Sequence, residues 1–124
     1  MTDEELAANS FKIVRVILRD EHIASSFVQS YPNIGNVIVE MLTKWSGSLP
    51  VSIEGVNSLR NFTRTKEHAQ TITLANVDRT CDFVINQRGN AQTETVALQC
   101  LKNLARVPEF QQKIKVRGTF NQVV

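Results

Sequence analysis

Apolar residues recur along this chain at the three-to-four-residue spacing of helices, in segments separated by turn residues. Thr2 and Glu5 have the spacing of a capping box, and the helix they open runs to about Asp20 with Ile13, Val14, Val16, Ile17 and Leu18 along it. Glu21 to Gln29 sets Ile23, Phe27 and Val28 at helical spacing before Tyr31-Pro32-Asn33 breaks the pattern. Asn33 to Trp45 carries Ile34, Val37, Ile38, Met41 and Leu42, and Ser46-Gly47-Ser48 stops it. Pro50, tolerated in a first turn, then opens a helix through Thr65 with Ile53, Val56, Leu59 and Phe62 as its apolar stripe. Further on, Glu67 to Ala75 reads as a short helix, Asn76 as the cap of a helix to Arg88, and Gln92 to Val107 as the next. Pro108 restarts the cycle with Glu109 to Val116, and Gly118 begins a last helix running to Val124. Leu59, Phe62, Leu101, Leu104, Val37, Ile38, Met41, Leu42 and Phe83 are expected in one continuous core.

These segments repeat. Val56 to Arg64 lies over Leu98 to Arg106 at a constant offset of 42 residues, apolar on apolar, base on base, Asn61 on Asn103. A fainter echo at an offset of 46 lays Ile13 on Leu59, Val16 on Phe62, and Asp20-Glu21-His22 on Lys66-Glu67-His68. The chain therefore divides into the last helix of a partial repeat (1–20), two repeats (21–65 and 66–107) and a truncated one (108–124). Each full repeat has a short first helix, a longer second and a third. The expected class is all-α.

The repeat length, the short first helix and the close of the third helix resemble the armadillo-repeat family. Val96-Ala97-Leu98-Gln99-Cys100-Leu101-Lys102-Asn103-Leu104-Ala105 is the better match; Ile53 to Thr63 is a looser one, with Phe62 and Thr63 where Leu and Ala are typical. The resemblance implies a right-handed armadillo-like superhelix of three-helix repeats whose third helices line a concave face. It also implies that the amide of an Asn near the end of each third helix, here Asn61 and Asn103, holds the backbone of an extended peptide. Asn57 and Gln99 lie one turn earlier on that face, and Arg64 and Arg106 one turn later. In family members that carry nuclear import signals a Trp occupies the position of Asn57 and Gln99, so basic import cargo does not fit this chain. The arginines favour an acidic or neutral extended segment of a protein or peptide partner.

Composition and charge sharpen this picture. Residues 1–54 hold 4 Lys/Arg and 7 Asp/Glu, and residues 55–124 hold 10 and 5, so net charges of −3 and +5 divide the chain. The basic half offers an alternative, nucleic-acid binding through Arg60, Arg64, Lys102, Arg106, Lys113, Lys115 and Arg117. Against it, the aromatic residues fall mostly on apolar stripes and leave no stacking platform for bases. No apolar run approaches the ~20 residues of a membrane span, and the acidic Met1-Thr2-Asp3-Glu4-Glu5 start is unlike a secretory signal, so an intracellular, cytoplasmic protein is expected. Cys81 and Cys100 read as reduced core thiols.

Convergent reactive groups are not evident. His22, His68, Cys81 and Cys100 have no zinc-site spacing, and the histidines read as interhelical caps or solvated surface. Asp78 and Asp82 share a helix face as a first-turn acidic cluster. Without a phosphate loop, nucleophile elbow or Cys/His dyad, the chain is expected to be no enzyme, and to take no cofactor, metal or small-molecule substrate. Phe120, Val123 and Val124, apolar in mid-helix, suggest a fragment of a longer solenoid that self-associates at its truncated end.

Overall fold

The computed structural model describes residues 1–118, and all of their regular structure is helical. In chain order the helices are α1 (Asp3–Arg19), α2 (Glu21–Ser30), α3 (Ile34–Lys44), α4 (Leu49–Thr63), α5 (Lys66–Ala69), α6 (Leu74–Asn86), α7 (Glu94–Leu104) and α8 (Pro108–Arg117). The expected helix from Gly118 to Val124, with Phe120, Val123 and Val124, lies outside the described residues. Gly118 itself ends α8 in the left-handed conformation, φ 65°, so it is a C-cap.

Side-chain caps set four of the eight helix starts among the described residues. Thr2 accepts from Glu5 N at 3.1 Å, Asp20 from Ile23 N at 3.0 Å and Ser48 from Val51 N at 3.4 Å, each side chain satisfying a first-turn donor. Two expectations are corrected here. The cap of α6 is Thr73, which accepts from Asn76 N at 3.2 Å, and Asn76 lies inside the helix with its side chain buried. The short helix expected through Ala75 stops at Ala69, because Thr71 turns its hydroxyl onto His68 O at 2.7 Å and Thr73 starts the next helix.

Three helices of one kind, α1, α4 and α7, pack side by side in chain order, α4 against both of its neighbours. On a second layer α3 packs against α4 and α6, and α6 against α7 and α8. The core runs between the layers: Leu59, Phe62, Leu101, Leu104, Ile38, Leu42 and Phe83 are buried as expected. Val37 is not. It is 44% exposed and, with partly buried Met41, lines an apolar groove of about 220 Å³ between α1 and α3. Gly55 marks a close approach of α4 to α3 and α1, since a Cβ there would lie 2.6 Å from Leu42 Cδ2 and 2.9 Å from Phe11 Cε2. Among the described residues no helix is long and apolar enough to cross a membrane.

Hydrogen bonds between α1, α4 and α7 give the true register of the weakest repeat. Ser58 Oγ donates to Phe11 O and Cys100 Sγ to Val56 O, so Phe11 stands where Val56 stands. Asn61 Nδ2 reaches Arg15 O and Asn103 Nδ2 reaches Arg60 O, so Arg15 stands where Arg60 stands. The structural offset between α1 and α4 is therefore 45 residues, one less than the sequence echo indicates. With that correction Val14 and Ile17 match Leu59 and Phe62, and Arg19 matches Arg64.

Candidate functional site: the third-helix strip

The strip is assembled by helix ends. The last carbonyls of a helix lack intrahelical donors, and basic side chains are favoured beside them by the helix dipole. Arg64 Nη2 donates to Arg19 O at 2.9 Å and Leu18 O at 3.4 Å, closing the end of α1. One repeat on, Arg106 Nη2 donates to Thr63 O at 3.0 Å and Arg64 O at 2.6 Å, closing the end of α4. Two arginines at one repeat phase thus carry out the same task twice.

The asparagines one turn earlier make the same kind of connection. Asn61 Nδ2 donates to Arg15 O at 3.0 Å, and Asn103 Nδ2 to Thr63 Oγ1 at 3.2 Å and Arg60 O at 3.5 Å. Asn61 is only 6% exposed and Asn103 is half-buried, so neither side chain stands free on the surface. Their amide donors are turned to the neighbouring helix. Asn57 differs: its Nδ2 donates within α4, to Ile53 O at 2.7 Å. Gln99 is exposed, and its side chain makes no hydrogen bond to the described residues.

What the strip still offers a partner follows from the atom count. A guanidinium has five N–H donors, and Arg64 spends only Nη2 on the helix end while Arg106 spends Nη2 and, on Asn103 O at 3.4 Å, Nε. The other donors of both exposed arginines remain for carboxylates or carbonyls. Gln99 adds a free carboxamide beside them.

Other polar residues have structural tasks that their sequence positions did not disclose. Asn36 is buried on α3, where its Oδ1 accepts from Thr73 N at 2.9 Å and Asn76 Nδ2 at 2.7 Å, and its Nδ2 donates to Asn33 Oδ1 at 2.9 Å and Thr71 O at 3.2 Å. The clue was present in the recurrence of Asn at the third position of α3 and α6. Asp78 and Asp82 form no first-turn cluster; they lie beyond the first turn of α6 and hold α8 through Lys113 Nζ (3.0 Å to Asp78) and Arg117 (3.3 Å to Asp78, with a second contact to Asp82). Partial desolvation raises the Asp78 carboxyl, but hydrogen bonds from Lys113 and Arg117 outweigh it and hold it below the ordinary carboxylate value.

The two histidines separate. His22 is exposed, whereas His68 is buried and stacked on Phe62 with ring centroids 5.6 Å apart, so neither capping nor a solvated surface describes it. Burial lowers its pKa, although Glu67 and Glu21 pull the other way. Cys81 and Cys100 are buried and free of disulfides; burial pushes the Cys100 thiol far up, away from thiolate chemistry.

Comparison of the chain with models of protein families, with curated proteins and with solved structures found no match.

Proposed function

We propose that the chain is a non-catalytic protein-interaction module, an armadillo-like right-handed superhelix that holds an extended acidic or neutral segment of a partner across the third-helix strip. The observation that supports it is the recurrence of Arg64 and Arg106 at helix ends, each with donors left over after closing a neighbouring helix. A helix end held by an arginine keeps that guanidinium's position fixed, so its remaining donors meet a carboxylate with little further loss of side-chain entropy. Asn57 and Gln99 lie one turn before Asn61 and Asn103, and their carboxamide oxygens suit the N–H groups of an extended backbone. The nucleic-acid alternative is the weaker reading, because Lys113 and Arg117 of the basic set are engaged by Asp78 and Asp82.

Fluorescence anisotropy with three labelled extended peptides, alternating Ser with Glu, Thr or Lys, tests the proposal. The Glu peptide should bind best and lose affinity with added salt, the Lys peptide should not bind, and Gln99→Ala with Arg106→Gln should weaken the Glu peptide. Preference for the Lys peptide, or no binding by any, contradicts it.

A further inference from the structure

The outer face of α1 is chemically unlike the corresponding faces of α4 and α7. In the corrected register, Ile13 occupies the position of Ser58 and Cys100, and Val16 that of Asn61 and Asn103. In α4 and α7 those positions donate hydrogen bonds to the carbonyls of the helix before. On α1 both are aliphatic, and they are 62% and 54% exposed. A surface of this kind cannot close another helix's carbonyls; it fits the apolar side of a helix.

Spacing and charge identify that helix. Leu6, itself 56% exposed, precedes Ile13 by seven residues, and Asn9 precedes Val16 by seven, so the four form one a/d seam along α1. The seam is self-complementary when two copies lie antiparallel. A two-fold axis near its middle sets Leu6 against Val16 of the second copy and Asn9 against Ile13. The same arrangement sets the acidic first turn, Asp3, Glu4 and Glu5, beside Arg19 at the far end of the other helix. Charges opposite in sign at the two ends of one helix match only in the antiparallel sense.

We propose that the exposed face of α1 is a homodimer interface in which two α1 helices pair antiparallel through Leu6, Asn9, Ile13 and Val16, with Glu5 and Arg19 of opposite copies facing each other. It is independent of the peptide-binding strip. A 17-residue helix is about 25 Å long, so the pairing is of the small, reversible class.

Sedimentation equilibrium on the 124-residue chain tests this. Reversible dimerisation is expected between about 1 µM and 1 mM, the range of a small interface. Ile13→Asp should weaken it by tenfold or more, with an unchanged far-ultraviolet circular dichroism spectrum because the side chain is exposed. Arg19→Glu should weaken it as well, and Glu5→Arg combined with Arg19→Glu should restore it, since the swap preserves antiparallel complementarity at unchanged net charge. A chain that stays monomeric throughout that range, a dimer indifferent to Ile13→Asp, or a charge swap that fails to restore association each overturns the proposal.

Discussion

Three asparagines within one repeat pattern have the same side chain and different tasks, so replacing each with alanine separates interhelix bonding from mere occupancy of a helix. Asn61→Ala deletes a buried donor to Arg15 O at 3.0 Å, a bond worth about 1 to 1.5 kcal/mol, and leaves the space of a carboxamide. Alanine returns about 0.6 kcal/mol through its helix propensity. The net loss is about 1 kcal/mol. For a domain of 124 residues, with about 2.1 cal/mol/K of unfolding entropy per residue, that lowers Tm by about 4 °C. Asn103→Ala removes longer bonds of 3.2 and 3.5 Å at a half-buried site, so about 0.5 kcal/mol and about 2 °C are expected. Asn57→Ala exchanges a bond within its own helix for better propensity and should shift Tm by about 1 °C or less. The Asn61 and Asn103 losses should add, because the two amides share no partner. Differential scanning calorimetry on the four proteins measures the order directly. If Asn61→Ala costs no more than Asn57→Ala, the interhelix bonds contribute nothing and the strip's asparagines are free for another use.

Gly55→Ala should destabilise by about 1 to 3 kcal/mol in urea denaturation despite the better helix former, because the added methyl meets Leu42 and Phe11 at under 3 Å. Stability should fall as the pH drops below the ordinary histidine value: His68 has a lowered pKa in the folded chain, so the unfolded chain takes up that proton first, and His68→Phe should flatten this part of the urea-midpoint profile. Asp78→Asn should reduce hydrogen-exchange protection in α8 while sparing α4. Because the Asp78 carboxyl is depressed, its contribution is present above the ordinary carboxylate value and is lost as the pH falls through the lowered one.

Helix existence was legible because Pro32, Ser46-Gly47-Ser48, Gly89 and Pro108 punctuate a clear apolar period. Register in α1 was not, since five of the six residues from Ile13 to Leu18 are apolar and such a run matches Leu59 and Phe62 equally well in two adjacent phases. Only the backbone acceptors of Ser58 and Asn61 separate the two. The recurrence of Asn61 with Asn103 and of Arg64 with Arg106 was also plain in the sequence. Its first meaning was not, because an amide that suits the carbonyl of an extended peptide suits the carbonyl of a neighbouring helix equally. Asp78 and Asp82 were misread for a related reason: their bases, Lys113 and Arg117, lie more than thirty residues away and reach them only through the packing of α8 on α6.

The claim that the third-helix strip is the binding surface is tested most directly by a nitrogen-edited nuclear magnetic resonance titration with the alternating Ser/Glu peptide. The account predicts that the largest shifts fall on the Gln99 side-chain amide, the Asn57 amide and the Arg64 Nε–H group, with the outer face of α1 silent. Shifts concentrated on Lys113, Lys115 and Arg117, or on Ile13 and Val16, would contradict it.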